Sequence, residues 1–133
     1  MKISWTTVGL VFAGGALGTL LRGSVSDLME GMYSLAAVNI VGSAVLGWLN
    51  ADPRLASEKQ RALWAVGFAG GFTTMSGVAL FYVLGATFHP IALAWVAGIF
   101  ALSLLAYWGA HALTERLTGN TAVVSHEVEE RRE

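Results

Sequence analysis

The residues best equipped for chemistry are one asparagine and one run of glycine and hydroxyl residues, both set in otherwise apolar sequence. Asn39 lies within Ala37-Val38-Asn39-Ile40-Val41-Gly42-Ser43. A side-chain amide in the middle of such a run must find a partner, because an unpaired amide in hydrocarbon is costly. An interhelical bond that only fixes packing meets that demand, and so does a polar path for a solute. Ser43 is one helical turn on and shares the face of Asn39, which allows a short polar stripe; its hydroxyl can equally bond back to its own helix.

The second feature is Gly67-Phe68-Ala69-Gly70-Gly71-Phe72-Thr73-Thr74-Met75-Ser76-Gly77. Paired glycines and paired β-branched threonines are poor helix formers. We expect a break here instead of a helix whose glycines merely permit close packing. A break frees backbone carbonyl and N–H groups, which a membrane tolerates only where protein or a water-filled cavity covers them. Freed carbonyls suit a cation; freed amides and hydroxyls suit an anion.

Smaller signals surround these two. Arg22 follows an apolar run and reads as a headgroup-facing arginine, a helix-terminus partner or a group that draws anions. Ser103 and Tyr107 are one turn apart and extend a hydroxyl path in an otherwise apolar stretch. His89, His111 and His126 have no carboxylate or cysteine at ligand spacing, so none is assigned to a metal.

The elements that must position these residues are membrane spans. Hydrophobic residues make up 55% of the 133 and charged residues only 13%, against about 25% charged in soluble domains. Between Arg61 and Glu115 lie 53 consecutive residues without Asp, Glu, Lys or Arg. One crossing needs roughly 20, so this stretch holds two, with a reversal at Gly85, His89 and Pro90. The sequence therefore predicts an all-α membrane protein with a single four-helix domain over residues 1–113. Its spans cover about 4–21, 33–49, 62–84 and 91–113, and a charged tail, amphipathic or disordered, follows over 114–133. The first run follows Lys2 but has no cleavage site before a polar mature region, so it reads as a span and not a signal peptide. Trp5, Trp48, Trp64, Trp95, Trp108, Tyr33 and Tyr82 fall mostly toward span ends, as interfacial aromatics do.

Glycines cluster in the spans. Gly14 to Gly18, Ser43 to Gly47 and Gly67 to Gly71 are small-xxx-small pairs that allow close helix approach and suggest a tight assembly of more than one chain. Gly9 and Gly109 carry no such signal.

With four spans, Lys2, Arg54, Lys59, Arg61, Arg116, Arg131 and Arg132 share one side and Arg22 alone lies on the other. The positive-inside rule then puts both termini in the cytoplasm of a cell-membrane protein. Net charge near −1 and the absence of cysteine leave no basic surface for nucleic acid and no thiolate chemistry. The spans contain no acid, lysine or phosphate loop, so no enzyme is indicated. Hydroxyls, one amide and irregular backbone bind and pass a small solute.

In this pattern the chain resembles the Fluc/CrcB family of small fluoride channels over about residues 8–113. Gly14-Gly15-Ala16-Leu17-Gly18 with Arg22 looks like the family's first-span motif, Asn39 with Gly42 its second-span motif, and Gly67 to Ser76 its broken third helix. The resemblance implies an antiparallel dimer with narrow fluoride pores, in the lipid bilayer. It implies that Asn39 lines or braces the pore, that Ser76 supplies a polar group beside it, and that Ser103 matches a fourth-span hydroxyl track. The backbone carbonyls of Gly70 and Thr73 would hold a structural Na⁺ at the dimer centre, and Gly14, Gly18, Arg22, Gly42, Gly71 and Thr74 would serve packing.

One departure stands out. Family members carry two phenylalanines whose electropositive ring edges face the ion, where this chain has Met75 and Val78, and Gly77 stands between Ser76 and Val78 in place of the family's threonine. The strong charge bias also opposes insertion in both orientations. Together these predict a heterodimer with a homologous second subunit. The competing readings are a structural or degenerate subunit without its own pore, and a small multidrug-type efflux protein; the latter normally needs an embedded carboxylate that is absent here.

Overall fold

The computed structural model describes residues 4–84 and 90–130. The expected reversal at Gly85 and His89 lies outside the described residues, as do Lys2, Arg131 and Arg132. The described chain is all helical: α1 Trp5–Leu28, α2 Gly31–Ala51, a 3₁₀ turn Pro53–Leu55, α3 Glu58–Gln60, a π-helical segment Arg61–Ala69, α4 Gly70–Phe72, α5 Met75–Leu84 and α6 Pro90–Glu130. Four stretches among them are long and apolar enough to cross a membrane.

Local chemistry sets the ends. Ser4 caps α1 by accepting from the Thr7 N–H at 3.2 Å, which satisfies one of the donors a helix start leaves free. Arg22 does not end α1. The hydroxyls of Ser24 and Ser26 bond back to the carbonyls of Leu20 and Arg22, and the helix runs on to Leu28. The reversal into α2 occupies Met29 and Glu30, and Gly31 takes φ 54°, a conformation that glycine adopts without a Cβ clash. Ser57 caps α3 through the Gln60 N–H.

The third span breaks within the expected run, Gly67 to Gly77, and departs from expectation in its winding. Gly70 and Gly71 are helical, and the break comes after them, where Thr73 is extended (φ −78°, ψ 158°). The preceding Arg61–Ala69 stretch winds as π-helix, a rare form found mostly at functional positions. The fourth span also differs, since α6 continues unbroken to Glu130. At 1.5 Å per residue it is about 60 Å long, roughly twice a hydrocarbon core.

Packing explains the glycines. A Cβ on Gly14 would collide with the backbone of Leu63 and Phe68, one on Gly18 with Phe68 and Phe72, and one on Gly71 with Gly15. The glycine pairs of α1 and the third span therefore face each other within one chain. Gly47 lies equally close to the Tyr107 backbone and seats α2 on α6. Gly9 and Gly109 face open space. The buried residues Val38, Ala69, Phe72, Val78 and Ile99 form a thin core between these two helix pairs. Only 6% of an apolar 18-residue window of the fourth span is buried inside the chain, leaving most of its apolar surface for lipid or a partner.

Candidate functional site at the helix break

The break is held by Asn39. Its Oδ1 accepts from the Thr74 N–H at 3.1 Å, and its Nδ2 donates to the Thr74 carbonyl at 3.2 Å and to the Leu35 carbonyl at 2.8 Å. One side chain thus replaces both partners that an unbroken helix would have given Thr74. Both amide protons are committed to carbonyls, so Asn39 braces the break while its body lines the adjoining cavity.

The remaining groups are satisfied locally. Thr73 donates both its N–H (3.0 Å) and its Oγ1 (2.9 Å) to the Ala69 carbonyl, ending α4. Thr74 Oγ1 accepts from the Gly77 N–H at 3.0 Å and caps α5, the usual role of a threonine three residues before the bonded N–H. Thr19 Oγ1 donates to the Gly71 carbonyl, and Arg22 Nη1 to the Thr73 carbonyl, each at 3.5 Å. Arg22 therefore reaches sideways to the break.

Beside the break lies a cavity of about 660 Å³ lined by Asn39, Gly42, Ser43, Gly70, Thr73, Met75, Val78, Ser103 and Tyr107, with apolar walls including Leu46, Ala65 and Phe100. Residues from α2, the third span and α6 that are distant in sequence meet here. Met75 is largely exposed, whereas Val78 is 3% exposed in the wall. Among the described residues, Ser103 Oγ is the buried side-chain polar atom without a hydrogen-bond partner. The Tyr107 hydroxyl accepts from Asn50 Nδ2 at 3.2 Å, which leaves its own proton to donate.

Other expected site residues are placed elsewhere. Ser76 and Thr74 line a second recess of about 530 Å³ with Arg22, on the other flank of the break, where their hydroxyls are 3.4 Å apart. Gly14, Gly18 and Gly71 belong to the α1 interface. Nothing in the sequence around Asn50 points to its bond with Tyr107.

The carbonyls of Gly70 and Thr73 can be tested against a cation. Gly70 is exposed, with open space over its Cα. The Thr73 carbonyl receives one long bond from Arg22 and keeps a second lone pair. Uncharged oxygen donors suit a hard monovalent ion. Two carbonyls from one chain would need further oxygen donors to complete the shell of such an ion.

Comparison with known proteins places this arrangement. The family model of CrcB-like proteins, described as camphor resistance, matches residues 9–113. The chain is 39% identical over 77 residues to a fluoride-specific ion channel of Corynebacterium diphtheriae, covering 58% of this chain and 72% of that one. It is 38% identical over 74 residues to one of Methanosarcina barkeri (53% and 59%), a match that spans less than two thirds of that relative's length. It is 35% identical over 127 residues to one of Rubrobacter xylanophilus (83% and 82%). No solved structure matches.

Proposed function

Because the chain belongs to the CrcB/FluC family, whose members are channels and not catalytic enzymes, we propose that it is a subunit of a passive, fluoride-selective channel that exports F⁻ from the cytoplasm and lowers its toxicity. The observation that carries this reading is the cavity at the Asn39-braced break, where hydroxyl donors from α6 face the helix break across an otherwise apolar wall. An anion leaving water needs compensating donors. Ser103 and Tyr107 have uncommitted O–H groups here, while Asn39 holds the backbone in place.

Passive export needs no energy source of its own. HF enters by diffusion and dissociates, and the membrane potential then drives the anion out with about 2.3 kcal/mol per 100 mV. Neither an ATP site nor a proton-coupling carboxylate is required.

The cavity is bounded by one chain on one side only, and Met75, Gly70 and Phe100 open onto the surface of the chain. An antiparallel partner closes the path, and paired Gly70 and Thr73 carbonyls hold a structural Na⁺ between the subunits. Met75 and Val78 stand on the wall where the family resemblance calls for phenylalanines, and basic residues are concentrated on one side. Both favour a homologous, oppositely inserted second subunit that supplies the aromatic edges. The same two residues are the observation behind the second reading, a structural subunit without its own conducting pore.

Fluoride efflux from liposomes tests both readings, using the chain alone and then with a homologue co-expressed from the same genome. Flux only with the partner supports the heterodimer. Flux from the chain alone overturns the heterodimer requirement, and no flux in either preparation favours the structural subunit.

A further inference from the structure

Asn39, Ser43 and Leu46 bring one face of α2 to the cavity, and Asn50 follows them at the spacing that keeps residues on that face. Asn50 does not itself border the cavity. It reaches the cavity through Tyr107, which does, by donating from Nδ2 to the phenol oxygen at 3.2 Å. Two ordinary roles do not account for this side chain. An asparagine near a helix C-terminus commonly ends the helix, but α2 ends at Asp52, whose N–H bonds the Trp48 carbonyl and whose carboxylate caps the following 3₁₀ turn. A tie between helices is already in place one turn earlier, where Gly47 lies so close to the Tyr107 backbone that a Cβ would collide with its carbonyl.

What the bond sets is direction. An amide nitrogen only donates, so the phenol oxygen accepts and its single proton points away from Asn50. Among the described residues Asn50 is the hydrogen-bond partner of the Tyr107 hydroxyl, so that proton is free for a solute in the cavity. The next polar group along this face of α6 is Ser103, one turn back in the same cavity, with its buried Oγ unpartnered. A hydroxyl that accepts one hydrogen bond also becomes a stronger donor of the next. The reverse arrangement, with Tyr107 donating to the amide, would present a phenol lone pair to an anion and repel it. We infer that Asn50 is a positioning residue of the anion path: by donating to the Tyr107 oxygen it turns the phenol proton toward the cavity and strengthens it as a donor to fluoride. This rests on the pore reading above.

The experiment is fluoride efflux from liposomes by the wild type, Asn50→Leu, Tyr107→Phe and the double variant, with the partner subunit present if flux requires it. Each single variant should slow efflux about tenfold, the least that one hydrogen bond to a charged group carries, and the double variant should be no slower than Tyr107→Phe. Losses that multiply in the double variant, or unchanged flux in either single variant, overturn the positioning role and leave the pore reading intact. A tie that only holds the helices together would not move a second readout, the tyrosine Raman doublet, whose intensity ratio reports whether the phenol accepts or donates. The difference between wild type and Tyr107→Phe isolates Tyr107. In sodium chloride it should accept, and on exchange into sodium fluoride it should gain donor character while still accepting. A phenol that donates without accepting, or one that does not respond to fluoride, overturns the inference even if Asn50→Leu fails to fold. Absence of wild-type flux with and without the partner overturns the pore reading and this inference with it.

Discussion

Asn39 and Thr74 are joined twice, through the Thr74 N–H at 3.1 Å and the Thr74 carbonyl at 3.2 Å, so a side chain of α2 completes the backbone of the third span. Removing it strands both groups. Asn39→Ala should lower stability by about 1–3 kcal/mol for each unpaired backbone group and abolish flux. Thermal unfolding in detergent checks the first effect and liposome efflux the second. An unchanged melting temperature would mean that the break does not depend on this brace.

The α1 interface makes a separate prediction. Gly18→Ala would set a Cβ against the Phe68 carbonyl and 2.8 Å from the Phe72 nitrogen. Backbone cannot rotate aside as a side chain does, so a cost of about 1–3 kcal/mol is expected. Gly9→Ala and Gly109→Ala meet nothing within 4 Å and should be neutral or gain up to about 1 kcal/mol from helix propensity. Comparing monodisperse yield and melting temperature across the three variants separates close packing from the general abundance of glycine.

Much of this architecture is legible in the residue types, and the failures have definite physical causes. Four apolar runs predict four spans, because the bilayer fixes their length. The break is legible from Gly70-Gly71 and Thr73-Thr74 taken together, though not which of the two pairs carries it. The glycines are held helical because Gly71 must lie against the Gly15 backbone, and the extended residue falls instead on Thr73. The pairing of α1 glycines with third-span glycines is not legible for a related reason: spacing shows that close approach is possible, not which helix approaches. The π-helical winding of Arg61–Ala69 and the Asn50–Tyr107 bond leave no mark on composition or periodicity, since both depend on tertiary placement.

Ser103 should dissociate stability from conduction. Its Oγ is buried without a partner, a condition that costs about 1–3 kcal/mol when no compensating bond forms. Ser103→Ala removes the orphaned hydroxyl with little change of volume. The variant should be as stable as the wild type or about 1 kcal/mol more stable, yet conduct fluoride several-fold more slowly. Melting temperature and efflux measured on one preparation decide this. Unchanged flux would take Ser103 off the path.

The two positions that depart from the family pattern differ in how much volume they accept. Met75 is 59% exposed and Val78 only 3%. Met75→Phe should therefore be tolerated, whereas Val78→Phe overpacks the wall at a cost of about 1–3 kcal/mol. If aromatic edges are what this subunit lacks, Met75→Phe should raise fluoride efflux by the chain alone above that of the wild type. A folded Met75→Phe chain with no gain would show that the missing aromatic at this position is not what limits conduction.

The proposed cation site at the Gly70 and Thr73 carbonyls predicts that sodium stabilises the proposed dimer and not the isolated subunit. A ligand that binds only the assembled state adds about 2.7 kcal/mol at 100 times its dissociation constant, and the gain grows with the logarithm of concentration. Gly70 is exposed and the Thr73 carbonyl carries the 3.5 Å bond from Arg22, so completing the shell of a cation would need donors from the partner. Replacing sodium chloride with choline chloride at equal ionic strength should lower the dimer's melting temperature and shift size-exclusion profiles toward monomer. A dimer equally stable in sodium and in choline would remove the cation from the interface and leave Arg22 as the group that serves the Thr73 carbonyl.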